Sequence, residues 1–194
     1  MQPSFWSPVV ELSAQERQIV ERIRRAKLFV FLRHQRNALL DEEFQQELAG
    51  LYRPSKRGQP PIAPAQLALA IILQAYTGVS DDEVIEATLM DRRWQLVLDC
   101  LDTDQAPFSK GTFVAFRKRL IDSQMDRRLI ERTIELAAHT QEFGSRALRA
   151  ALDSSPLWGA GRVEDTINLI GHARKPAYGS GGRATGKRTG RSGA

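Results

Sequence analysis

Residues 65–76 read Ala-Gln-Leu-Ala-Leu-Ala-Ile-Ile-Leu-Gln-Ala-Tyr, and on a helix they would be apolar on nearly every face. Pro64 suits the first turn of such a helix, because its fixed φ is helical and its missing N–H would go unused there. Gly78 suits its end. A helix without a polar face cannot lie on a surface, so this segment belongs in the middle of a bundle and requires other helices around it. It does not cross a membrane: the longest apolar run, Leu67 to Ala75 with Gln74 inside it, is well short of the roughly 18 residues a span needs.

The surrounding helices are legible from periodicity and caps. Between Ser13 and Leu32, apolar residues recur at helical spacing (Ile19, Ile23, Ala26, Val30), and Ser13 with Glu16 forms a capping box, which predicts one helix over this stretch. Leu39, Leu40, Phe44, Leu48 and Leu51 mark a second, with Asp41, Glu42 and Glu43 suited to its first turn. Pro54, Gly58, Pro60 and Pro61 then force an irregular connection. After Gly78, Ser80 followed by Asp81, Asp82 and Glu83 restarts a helix through Val84, Ile85 and Leu89. Helix, short Gly-containing turn and capped helix together give a helix-turn-helix-like pair. Further helices are expected over 91–99, over 110–121 with Ser109 as cap, and over 123–142 ending at Gly144. The pattern up to that point is helical throughout.

Charge is distributed unevenly. Of 28 Lys and Arg residues, six (Arg174, Lys175, Arg183, Lys187, Arg188, Arg191) follow Ala173, where no Asp or Glu occurs, so 22 basic residues face 23 acidic ones before it. The net charge of +5 therefore comes from the tail and says little about the helices. That tail is rich in Gly, Arg, Ser and Thr and is expected to be disordered. The single Cys100 excludes an intrachain disulfide and a cysteine-rich zinc site, and is read as a buried small residue. The first residues are polar and proline-punctuated and do not form a signal peptide, so the expectation is a soluble protein of the cytoplasm.

Residues 146–153 read two ways. Ala, Leu and Arg favour helix, whereas Leu148, Ala150 and Leu152 alternate as a strand would. The segment continues as Asp153-Ser154-Ser155-Pro156-Leu157-Trp158-Gly159-Ala160-Gly161-Arg162. Asp-Ser-Ser-Pro by itself fits an ordinary turn. The longer run resembles the start of the catalytic domain of bacterial insertion-sequence DDE transposases, and the resemblance favours the strand. It implies an RNase H-like α/β domain in which Asp153 is the first of three catalytic carboxylates that bind Mg²⁺ for strand cutting and transfer. Glu164 and Asp165 follow too soon to be the others, and His172 has no clustered partner. Gly159-Ala160-Gly161 is not a dinucleotide fingerprint, since Glu164 replaces the third glycine.

The helical part resembles the amino-terminal domain of the same transposases, through Pro64-Ala65-Gln66-Leu67, the stretch from Gln74 to Glu83, and Phe108-Ser109-Lys110-Gly111-Thr112-Phe113. The resemblance implies binding of the element's terminal inverted repeats. Lys110, Arg117, Lys118 and Arg119 are the candidate phosphate contacts, and Thr112 near the helix start is a candidate for the groove. The same charges would equally suit a solvated helix face. Arg92 and Arg93 are secondary candidates, and Trp94 reads as core.

These readings give a mainly α chain: a helical bundle over 1–144, the first strand and loop of an incomplete RNase H-like domain over 145–173, and the basic tail over 174–194. With no further carboxylate in the tail, the expectation is a truncated transposase, inactive by itself, that binds element-end DNA in the nucleoid. The alternatives are an interaction protein that pairs with full-length transposase or with itself, and an enzyme completed by a second reading frame. An orphan strand would leave Leu148, Leu152 and Leu157 exposed.

Overall fold

Helix α4 (Pro64–Thr77) is buried from Pro64 to Ala75 with only Gln66 half-exposed. The helices that enclose it are α2 (Lys27–Leu39), α3 (Glu42–Ala49), α6 (Arg92–Leu98) and α7 (Lys110–Asp122). Outside them lie α1 (Ala14–Arg22), against α6, α5 (Asp81–Met90), against α6 and α7, and α8 (Met125–Thr140), against α2 and α7. The computed structural model describes residues 3–53, 60–140 and the single position Leu148. Among the described residues there are eight helices and no strand.

The local signals act as their chemistry dictates. Ser13 and Ser80 each complete a capping box, with Glu16 and Glu83, while Asp41, Asp91 and Ser109 cap α3, α6 and α7. Pro64 occupies the first turn of α4, and Gly78 ends it in the left-handed region at φ 71°, where a side chain would be strained. The core is continuous. Phe29, Phe31 and Leu32 of α2, Phe44 and Leu48 of α3, Trp94 and Leu96 of α6, and Phe113, Phe116 and Leu120 of α7 all pack into it. Cys100 is buried as expected, and burial, with the charge of Asp99, pushes its thiol up to about 11.

A strap precedes α1. Trp6 exchanges hydrogen bonds with the Gln45 amide, Asn37 donates to the Pro8 carbonyl, Arg36 to that of Val9, and Arg33 to those of Val10 and Glu11. Three side chains on one face of α2, with Gln45 of α3, thus satisfy backbone groups of this segment.

Two expectations change. The single helix predicted over 13–32 is broken at Ile23, whose backbone turns extended (ψ 106°), and the chain reverses into α2. The reason lies in the core. Arg33 donates from Nε to one Glu16 oxygen at 2.6 Å and from Nη2 to the other at 3.1 Å. These residues are 17 apart in sequence, so on one straight helix they would be separated by about 25 Å. A buried pair outweighs the weak preference for continuing, and the periodicity on either side of the break is unaffected because Ile19 and Ile23 face the core either way. The second change concerns Leu148, expected on an exposed strand. It is helical and fully buried in the apolar cluster of the bundle, since removing a leucine from water is worth roughly 2 kcal/mol. The rest of the predicted strand, Asp153, the loop to 173 and the tail lie outside the described residues.

Candidate nucleic-acid interface on helix α7

The α7 sequence buries Phe113, Phe116 and Leu120 at helical spacing, with Phe113 stacked on Phe108 at 5.6 Å. That stripe turns the cationic positions away from the core. At the helix start the Ser109 hydroxyl accepts from the Thr112 N–H at 3.2 Å and lies 3.0 Å from the Thr112 hydroxyl. Thr112 is therefore engaged in the cap.

Arg117 has an internal role. Both its Nη atoms donate to the Asp81 carboxylate, Nη1 also reaches Gln74 Oε1 at 3.0 Å, and the guanidinium lies over the Phe113 ring at 5.7 Å. Gln74 in turn donates to Asp81 Oδ1 at 2.8 Å and to the Val79 carbonyl at 3.2 Å. One half-buried cluster thus ties α7 to the end of α4, the turn at Gly78 and the start of α5. The hydrogen bonds from Arg117 hold the Asp81 carboxyl below its ordinary 3.8, against burial, which acts to raise it, and with further help from Gln74. A lowered folded-state value means that this stabilisation is complete above the ordinary aspartate range and is lost as pH falls through the folded value. Thermal melts taken between about pH 5 and pH 2 should show a loss of stability that Asp81→Asn flattens, at a cost near neutrality of about 1–3 kcal/mol. Equal acid sensitivity in both proteins would remove Asp81 from the account.

The remaining cations are closer to solvent. Lys110 pairs with Asp82 at 2.8 Å and Lys118 with Asp122 at 3.3 Å, both exposed pairs. Such pairs are worth at most about 1 kcal/mol, so phosphate oxygens compete with them readily. Arg119 is exposed, lies over the Tyr52 ring at 4.6 Å and is hydrogen-bonded to the Tyr52 side chain. Of the five residues chosen from sequence, Lys110, Lys118 and Arg119 can reach a partner outside the chain without dismantling the bundle; Thr112 and Arg117 are committed within it. Sequence reasoning missed Asp81 and Gln74, reading the first only as a first-turn acid and the second as an interruption of an apolar run. A polar side chain inside an otherwise apolar helix was the available signal.

The α4–α5 pair has the turn of a helix-turn-helix, but α4 is enclosed and α5 carries Asp81, Asp82, Glu83 and Glu86 with no Lys or Arg. Its charge opposes a phosphate backbone. Trp94 is core, as read. Asp153, the proposed carboxylate, lies outside the described residues, and among the described residues no three His, Cys, Asp or Glu side chains cluster as metal ligands. No described helix is long and apolar enough to cross a membrane.

No curated protein and no solved structure matches the chain. A family model does match, described as a transposase domain (DUF772), over residues 18–119. That stretch runs from within α1 to within α7, enclosing the central helix, its neighbours and the cationic helix together, and the chain belongs to this transposase domain family.

Proposed function

We propose that the helical bundle is a DNA-binding module of an insertion-sequence transposase, and that it engages the ends of its element. The observation that carries this reading is the family match over 18–119, which covers the bundle's centre. The chemistry supports it: α7 offers Lys118 and Arg119 at the surface and Lys110 in a weak pair, a set that can position the protein on phosphates. Arg117 acts differently, as a positioning residue that fixes α7 on α5. For Asp153 the reading is a carboxylate that helps hold Mg²⁺, whose role when bound is to activate the attacking oxygen and stabilise the leaving one. That reading rests on the 151–162 motif.

The test is binding of the full chain to duplexes taken from the DNA flanking its coding sequence, against scrambled duplexes of equal length. Lys118→Glu with Arg119→Glu should weaken binding by about tenfold or more, alike for both duplexes, because phosphate contacts carry no sequence information. Full affinity in that variant would remove α7 from the interface.

A further inference from the structure

The break between α1 and α2 has a consequence for charge. Residues 22–27 read Arg-Ile-Arg-Arg-Ala-Lys, four cations in six positions. On one continuous helix these would point in different directions around the axis. In the folded chain Ile23 turns inward and is buried at 7%, while Arg22, Arg24, Arg25 and Lys27 are all exposed at one corner. The corner is pinned at both sides: the Ile23 N–H donates to the carbonyls of Ile19 and Val20, and the Lys27 N–H to that of Arg25 at 2.8 Å.

The electrostatics of this corner differ from those elsewhere on the bundle. Arg33, Arg36, Arg92, Arg93, Lys110, Arg117, Lys118, Arg128 and Arg132 each have a carboxylate partner. The side chains of Arg22, Arg24, Arg25 and Lys27 have no ion-pair or hydrogen-bond partner among the described residues. The adjoining first turn of α2 has no acidic residue and its cap residue, Ala26, supplies no side-chain acceptor. Lys27 there opposes the dipole of α2, while Arg22 sits in the last turn of α1, where a cation is favoured, so the corner concentrates positive charge without a side-chain counterion. Arg93 lies over the Phe29 ring at 5.1 Å, which places the start of α6 beside the start of α2, whereas Arg92 pairs with Asp102 at 3.9 Å. The patch also borders the same end of α4 as the α7 cluster, since Phe29 meets Tyr76 edge-on while Arg117 reaches Gln74.

We infer that the α1–α2 corner, Arg22, Arg24, Arg25 and Lys27, is a contact surface for the phosphate backbone of duplex DNA. This rests on the DNA-binding reading above and adds a surface to it. Backbone contact follows from the residue types: guanidinium and ammonium groups without side-chain acceptors, on a short turn anchored by buried Ile23, offer donors to phosphate oxygens along one strand.

The test uses the full chain, fluorescently labelled duplex and a series of salt concentrations. Arg24→Glu with Arg25→Glu should weaken binding by about tenfold or more and reduce the slope of log K against log salt by about 2, equally for element-end and scrambled duplexes. Arg24→Gln with Arg25→Gln, at the same exposed positions, should lose about the same slope with a smaller loss of affinity. Circular dichroism melts matching the unsubstituted chain identify these as binding effects. Unchanged affinity and slope in both variants, while the unsubstituted chain binds DNA, would overturn the corner as an interface and leave the DNA-binding reading standing. Absence of DNA binding by the unsubstituted chain would overturn that reading, and the corner with it. Binding retained on duplex but lost only on acidic phospholipid vesicles would assign the patch to a membrane surface and overturn it as a DNA contact.

Discussion

Replacing Arg33 by methionine should lower the unfolding free energy of the bundle by about 3–5 kcal/mol, because it leaves the Glu16 carboxylate in the core without its partner. Burial acts to raise the Glu16 carboxyl above its ordinary 4.5, yet hydrogen bonds from Arg33 and from the Ser13 N–H, with the Arg33 charge, hold it lower. Without Arg33 the balance reverses, and either the carboxyl takes a proton or α1 lifts from α2. The Val10 and Glu11 carbonyls of the strap lose their donors at the same time. Urea unfolding of the single variant, of Glu16→Met and of the double variant would separate these effects. The double variant should recover the part due to the stranded carboxylate, since apolar replacement of a whole buried pair is often neutral or better; the remainder measures the strap. A loss below about 1 kcal/mol in Arg33→Met would mean that the pair is solvated and that the reversal at Ile23 has another cause.

Trp94→Ala should cost about 3–5 kcal/mol, the range for emptying an aromatic-sized site in a packed core. Trp94 is 2% exposed and lies 6.5 Å from Phe29, between the first turns of α6 and α2. Arg92→Ala, two residues earlier and exposed, should alter stability by less than about 0.5 kcal/mol. The contrast separates core from surface within one helical turn. A stable Trp94→Ala protein with weakened DNA binding would instead identify the indole as a stacking platform.

Much of the fold is legible in the sequence. The enclosed position of α4 follows from a sequence with no polar face, and the caps at Ser13, Ser80 and Ser109 follow from hydroxyls three residues before groups that need them. What could not be read was decided by contacts distant in sequence. Periodicity cannot register the break at Ile23, because the same apolar residues face inward on one helix or two; Arg33 decides it, and its partner is 17 residues away. Likewise Arg117 has the spacing of a surface cation, and only the approach of α5 turns it into an internal tie. The candidate interface was half legible for the same reason. Lys118 and Arg119 stay at the surface as read, whereas the cations of 22–27 become a patch only once the chain reverses there.

The DNA-binding proposal requires this bundle to hold DNA by its phosphates. Its most direct measurement is the association constant of the full chain, for element-end and scrambled duplexes, across a salt series, with the charge-reversed corner and α7 variants alongside. Log K should fall steeply with log salt, with a slope shallower by about 2 in each variant. A slope that stays the same in both variants would contradict the proposal, because the charge that meets DNA would then lie outside the bundle.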